Sequence, residues 1–303
     1  MQKSLTLPAF AKINLRLRIF GNRADGYHDL NTIFQTVSLH DTIEASSIDG
    51  PHTILSCNDR SLPANENNLV IRAAKALRDH FGTERGARIR LRKRIPMQAG
   101  LGGGSADAAV TLLALANLWE LNCSRAELVT IASRLGADVP FFFYGGSAHA
   151  SGIGDQIEAL DDIEPRFLLI LKPNANISTA DAYRALDQGS LTSLIPETIL
   201  STSQTNADSD KIDLANLRND FEAVVFDLEP EIRRAKSALL KAGAEAALLA
   251  GSGSAVFGIF DSEDAQRRAI QATELETGWR VFPCKTVGRQ EYKAAFGDYQ
   301  LFS

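Results

Sequence analysis

The chain has 303 residues, 45% hydrophobic and 23% charged, an ordinary globular composition with enough length for a large core and for two domains. A formal net charge of −5 argues against a surface devoted to nucleic acid or to an anionic membrane. Three scattered cysteines (Cys57, Cys123, Cys284) without a C-x-x-C pair argue against a disulfide framework or zinc site, and no apolar run has the ~18 residues of a membrane span. The N-terminal MQKSLTLPAFAKINL lacks the apolar stretch of a signal peptide, so a soluble cytoplasmic protein is expected.

Residues 10–20, FAKINLRLRIF, alternate strictly. Ala11, Ile13, Leu15, Leu17 and Ile19 share one face and Lys12, Asn14, Arg16 and Arg18 the other, which predicts a half-buried strand. RADGYH follows, with Asp25-Gly26 as a turn signal, and 31–46 reads as a second strand region. A helix is predicted over 67–82, capped by Asn67 or Asn68 and ended by Gly82. ARIRLRKRIP, 87–96, alternates again and stops at a proline. Helices follow over 104–119 and around 125–135, and FFFYGG and SAHASGIGDQIEAL suggest strands and turns. RFLLILKP reads as a buried strand and STADAYRALD as a helix capped by Ser178 or Thr179. Residues 188–213, rich in Ser, Thr, Asn, Asp and Gln, read as a surface insertion. One or two helices then precede AALLAGSGSAVFGIF, a strand, a glycine turn and a strand. A helix around 263–276 and a strand near 279–287 complete an irregular alternation that favours two α+β domains, 1–162 and 163–303.

PMQAGLGGGSADAA, residues 96–109, holds four glycines within five positions just ahead of a helix. It is not a Walker A loop, because Ser105 follows Gly104 where lysine is needed, and Ser105 also stands where the dinucleotide fingerprint needs its third glycine. Strand, proline, glycine loop, serine and helix nonetheless make a plausible anion site. Bare backbone N–H groups can approach an anion closely, and the helix start adds unpaired donors and the positive end of its dipole. A tight strand-to-helix turn is the plain alternative. Asp107 could cap the helix or sit near a bound cation. AGSGSAVFG, 250–258, is either a simple turn or the other side of a phosphate site. Asp138 in GADVPFFF is either an Asx-turn or a base at the mouth of a pocket. Lys12 and Asn14 are either solvated or directed together into a cleft. The arginines of RIRLRKRIP share a strand face, and without interleaved aromatics a solvated face suits them better than nucleic-acid binding.

PMQAGLGGGSADAA, with AKINL before it, GADVPFF after it and AGSGSAVFG near the C-terminus, resembles the GHMP kinases. RADGYHDL and NDFE, 219–222, extend the resemblance to members whose acceptor carries a cytidine diphosphate group. It implies a two-domain GHMP kinase fold, with a ribosomal-S5-like N-terminal domain and a ferredoxin-like C-terminal domain. It also implies phosphoryl transfer from ATP, with Mg²⁺, to the 2-hydroxyl of a methylerythritol moiety. Asp138 would be the base and Lys12 would orient it. Asn14 would contact the methylerythritol end, Tyr27 would stack on cytosine and His28 would hydrogen-bond its edge. Gly100, Gly102, Gly103, Gly104 and Ser105 would wrap the ATP phosphates, Asn68, Leu69 and Lys93 would hold adenine and nearby groups, and Pro96 would also bind the cofactor. Phe10, Gln98 and Ala106 depart from the family pattern of proline, glycine and serine. No second acidic magnesium ligand stands out, so ATP oxygens and water would hold the ion. The alternatives are a GHMP kinase with a different acceptor and an inactive ATP-sensing homologue.

Overall fold

The computed structural model describes residues 3–23, 26–193, 216–274 and 276–297. The first part of the chain runs β1 (Ser4–Asn22), β2 (His28–Ile48), β3 (Thr53–Cys57), α1 (Leu69–Phe81), β4 (Gly86–Arg92), α2 (Gly103–Leu118), α3 (Arg125–Ser133), β5 (Ser147–Ser151) and β6 (Gln156–Ala159). The second runs β7 (Phe167–Lys172), α4 (Thr179–Ser193), β8 (Arg218–Asn219), α5 (Glu222–Leu228), α6 (Pro230–Lys241), β9 (Ala246–Leu249), β10 (Val256–Phe260), α7 (Glu263–Thr273), β11 (Arg280–Lys285) and α8 (Arg289–Ala294).

A seven-stranded sheet has the order β3-β4-β2-β1-β8, with β5 also on β2 and β6 on β5. A four-stranded antiparallel sheet has the order β11-β7-β10-β9. One core joins the large sheet to α1, α2 and α3, and a second joins it to the small sheet. A third joins the small sheet to α4, α5, α6 and α7. The molecule is thus layered helix, sheet, sheet, helix.

This layering corrects the expectation that β1 is half-buried. A register shift at Phe10/Ala11 exchanges its faces, as an extra residue does in a period-two strand. Leu5, Leu7 and Ala9 pack toward the helices, whereas Ala11, Ile13 and Leu15 pack toward the small sheet. Lys12 and Asn14 therefore turn to the helical side, where they are 4% and 2% exposed. The same two-sided cover buries α2 on nearly every face, so its apolar residues do not form a single stripe.

The caps follow the sequence reading. The Asn68 side chain accepts from the Val70 N–H, and Gly82 ends α1 in the left-handed region at φ 60°. Ser178 Oγ accepts from the Asp181 N–H at the start of α4. Two expectations fail. Pro140–Phe143 is a 3-10 helix rather than a strand, because its prolyl start removes a ladder donor and all four side chains are buried. Residues 188–193 of the expected insertion continue α4, while 194–213 lie outside the described residues. The sequence also hides the return of the chain's end to the first core. Tyr292 and Phe296 pack there, and the Tyr292 hydroxyl donates to the Phe142 carbonyl at 2.5 Å. That contact braces the segment just after Asp138.

Candidate active site

A cavity of about 450 Å³ opens between the glycine loop, the middle of β1, the start of α1 and the start of α4. Its walls bring together Lys12, Asn14, Asn68, Leu69, Lys93, Pro96, Gly100, Gly102, Gly103, Gly104, Ser105 and Asp138, residues drawn from more than 120 positions of sequence. Gly251 and Ser252 of the second glycine stretch also line it, on the far side of the loop.

Three polar side chains converge at one end. Lys12 Nζ lies 3.3 Å from Asp138 Oδ2 and donates to Asn14 Oδ1 at 2.8 Å. Asn14 Nδ2 donates to Thr32 Oγ1 at 2.7 Å, and Thr32 Oγ1 donates to the Arg16 carbonyl at 2.7 Å. The chain of bonds fixes the ammonium beside the carboxylate, and the Phe34 ring lies 5.0 Å from Lys12 Nζ. Lys12 is anchored from behind as well, since its backbone N–H donates to the Leu101 carbonyl of the glycine loop at 3.0 Å.

The loop glycines are bare for two different reasons. A Cβ on Gly100 would lie 1.7 Å from the Ala250 carbonyl oxygen, and one on Gly103 would lie 2.9 Å from Ile95. A Cβ on Gly102 would meet Lys12 and Phe142 at 3.0 Å. Gly100 and Gly102 also take φ of +74° and +68°. These three let protein pack on protein. Gly104 differs: its nearest foreign atom is Leu69 Cδ1 at 3.5 Å, so its side faces the cavity. Hydrogen bonds from Ser254 N to the Gln98 carbonyl (3.1 Å) and from Ala255 N to the Ala99 carbonyl (3.3 Å) fasten the two glycine stretches together. Helix α2 begins at Gly103 behind an N-cap glycine, Gly102, that offers no side-chain cap, so its first-turn N–H groups and the positive end of its dipole are left to face the cavity.

Behind the loop lies a buried ion cluster. Lys93 Nζ contacts Asp41 and, at 2.8 Å, Asp107 Oδ2. Asp41 also accepts from the Arg94 and Ile95 N–H groups, at 2.5 and 2.9 Å. Burial opposes the Lys93 charge, but the two carboxylates outweigh it and hold the ammonium protonated. The Asp107 carboxyl is pushed up to about 7, first by burial and further by the like charge of Asp41, against the pull of Lys93. Asp107 Oδ1 is buried and has no partner among the described residues. Lys93 lines the cavity with its ammonium held by these two carboxylates. Asp41 escaped the sequence reading, since β2 also carries Asp29 and Glu44 and nothing local sets Asp41 apart.

Tyr27 and His28 do not line this cavity. Tyr27 is 60% exposed, on a turn whose Asp25 lies outside the described residues. His28 is buried at the cavity's rim, its Nε2 2.8 Å from Asp187 Oδ1 and its ring stacked on Tyr183 at 4.7 Å. Tyr183 does line the cavity, and burial and the charge of Asp138 push its phenol up to about 12. Tyr183 was not legible in sequence, Thr179 was read there only as a possible helix cap, and Ser252 only as part of the second glycine stretch. They come from a distant helix and turn, with Thr179 Oγ1 3.0 Å from Ser252 Oγ.

No group of three or more His, Cys, Asp or Glu among the described residues is arranged to cage a metal ion, and no helix among them is long and apolar enough to cross a membrane.

A glycine loop running into an uncapped helix, beside a buried lysine paired with a partly exposed aspartate, is the equipment of a small-molecule phosphotransferase. Residues 68–146 match the GHMP kinases N terminal domain and residues 205–274 the GHMP kinases C terminal domain. The chain belongs to the GHMP kinases, and with them it is a small-molecule kinase that uses ATP as co-substrate. It is 43% identical over 287 residues to 4-diphosphocytidyl-2-C-methyl-D-erythritol kinase of Chlorobium chlorochromatii, covering 92% of this chain and 96% of that one. To the protein of the same name from Solibacter usitatus it is 42% identical over 292 residues, covering 95% and 90%. A crystal structure of 4-(cytidine 5'-diphospho)-2C-methyl-D-erythritol kinase superposes with a TM-score of 0.78 at 32% identity, covering 94% of this chain and 100% of the other. A homoserine kinase from Cytophaga hutchinsonii shares the fold, with a TM-score of 0.69 at 20% identity, covering 96% and 97%.

Proposed function

We propose that this protein transfers the γ-phosphoryl group of ATP, with Mg²⁺, to the 2-hydroxyl of 4-diphosphocytidyl-2-C-methyl-D-erythritol. The observation that carries the reading is the Lys12–Asp138 pair, 3.3 Å apart at one end of a cavity walled by the glycine loop. The naming of relatives more than 40% identical supplies the acceptor.

In this reading the uncapped start of α2 receives the phosphates, and Ser105 adds a hydroxyl in its first turn. Phosphoryl transfer passes through a loose transition state, so the acceptor proton can leave late and a carboxylate is base enough. Asp138 orients the hydroxyl and takes its proton. Two of the three Lys12 N–H groups are directed to Asn14 and Asp138. The third is free to lie between the acceptor oxygen and the γ-phosphate, where charge accumulates. Asn14 holds the lysine and meets the methylerythritol end. Asn68, Leu69, Lys93 and Pro96 line the nucleotide end. Tyr27 and His28 take the cytosine from the rim, next to Tyr183.

An ADP-release assay tests this with the cytidyl acceptor and with free methylerythritol as control. Turnover that needs the cytidyl group and collapses in Asp138→Asn supports the reading. Equal turnover of both acceptors, or none by folded protein, overturns it.

A further inference from the structure

The Lys93–Gln98 segment separates the nucleotide cavity from a second one, of about 610 Å³, on its other side. One wall of this cavity comes from residues 58–61 and 93–98 of the first half of the chain. The other comes from residues 172–176 with Gly278 and Arg280 of the second half. It shares Lys93 and Pro96 with the nucleotide cavity, but the phosphoryl transfer accounts for none of its other charged residues.

Its charge is lopsided. Arg60 and Arg94 stand on one wall and Lys172 and Arg280 on the other, and none of the four forms an ion pair among the described residues. Lys93 also lines the cavity, but Asp41 and Asp107 already neutralise it. The one carboxylate in the lining, Asp59, is turned to its own loop. It accepts from Ser61 N at 2.9 Å and Ser61 Oγ at 2.6 Å, and these bonds, with smaller pulls from the Arg280 and Lys93 charges, hold it below the usual carboxylate range. Lys172 is only 7% exposed, with Nζ donating to the Pro173 carbonyl at 3.0 Å and the Ala175 carbonyl at 2.6 Å. Burial lowers its pKa, and the neighbouring Arg280 charge lowers it further, against a smaller opposing pull from Glu229. A buried ammonium destabilised by an adjacent guanidinium is relieved by an anion between them.

The geometry points to a second anion site, one that takes a small multivalent anion of the diphosphate class, gripped between Arg60 and Arg94 on one side and Lys172 and Arg280 on the other. Two cations on each of two facing walls match an anion with two charged ends better than a single phosphate. The lining has no aromatic side chain, so a nucleotide base would find nothing to stack on. The same lack, with the chain's net charge of −5, sets aside a nucleic-acid strand.

The test is calorimetric titration of the full chain with inorganic pyrophosphate. The nucleotide cavity is first saturated with a non-hydrolysable ATP analogue, with magnesium in excess throughout. Arg60→Glu and Arg280→Glu are compared with the wild type; both side chains are exposed, so the folded state should survive, and thermal unfolding checks that it does. We expect one pyrophosphate per chain with the analogue bound, and affinity about tenfold or more weaker in each variant. Salt should weaken binding, and inorganic phosphate should bind clearly less well. Without pyrophosphate, kcat and the ATP KM of the variants should match the wild type. Loss of pyrophosphate binding when the analogue is present would overturn the proposal, as would variants that bind like the wild type. A raised ATP KM in either variant would make the cavity an extension of the nucleotide site, and phosphate binding as tight as pyrophosphate would refute the ligand class. Binding is read directly, so a wrong acceptor assignment would leave this result untouched.

Discussion

Gly100→Ala and Gly104→Ala should have opposite consequences, although the two residues lie in one loop. At Gly100 the new methyl would sit 1.7 Å from the Ala250 carbonyl oxygen, a backbone atom that no rotamer change can move. Relief requires the two glycine stretches to part by more than an ångström, which breaks the bonds from Ser254 and Ala255 to the loop. The residue must also hold φ of +74°, which costs an L-residue about 1–2 kcal/mol. With two hydrogen bonds at about 1 kcal/mol each, destabilisation of about 3 kcal/mol or more is expected. Displacing the loop by an ångström should also cut kcat about 10²-fold. At Gly104 the methyl meets only Leu69 Cδ1 at 3.5 Å, the residue lies in the first turn of α2, and its φ is not positive. Alanine there should leave stability unchanged or raise it by about 0.5–1 kcal/mol. Its methyl projects toward the cavity, so if the nucleotide lies there as proposed the ATP KM should rise. Thermal unfolding and steady-state kinetics on both variants decide the matter. Wild-type stability in Gly100→Ala would refute the packing role, and an unchanged ATP KM in Gly104→Ala would refute the ligand role.

Asp138→Asn and Lys12→Ala should lower kcat by about 10²–10⁴-fold while changing KM far less, and a near-normal kcat in either would remove that residue from the chemistry. Tyr27→Ala should weaken acceptor binding by about 1–3 kcal/mol, read as Kd, with kcat at saturation little altered. Asp107 binds its proton more tightly folded than unfolded, so its contribution to stability is full below the ordinary carboxylate range and lost as pH rises through about 7. The stability of wild type relative to Asp107→Asn should therefore decline between about pH 4 and 7 and then level off; a difference independent of pH in denaturant titrations would contradict this. Tyr292→Phe leaves the Phe142 carbonyl without its phenol partner and should cost about 1–3 kcal/mol, measured by denaturant unfolding.

The local instructions were complete in the amino-acid order. Asn68, Ser178 and Gly82 cap or end helices as their chemistry demands. Alternation marks β1 and β4, and the glycine loop announces a site before α2. These signals act within one turn or one strand, where side chain and backbone meet irrespective of what packs on them. The six quoted motifs, from AKINL to AGSGSAVFG, carried the family because each is a short run of residues that can be read without knowing what packs on it.

Tertiary structure decided the rest. Strict alternation cannot tell a half-buried strand from one covered on both sides, and the second sheet and α2 make β1 the latter. An aspartate in β2 gives no sign that it will meet a lysine 52 residues later, yet Asp41 and Lys93 form the cluster that seats the loop. Composition shows that glycines are present but not what approaches them. Only the position of Ala250 distinguishes Gly100, bare so that backbone can touch backbone, from Gly104, bare toward the cavity. Pairings across such distances depend on which layers stack, and stacking follows from the burial of whole faces, a property that no short stretch of sequence holds.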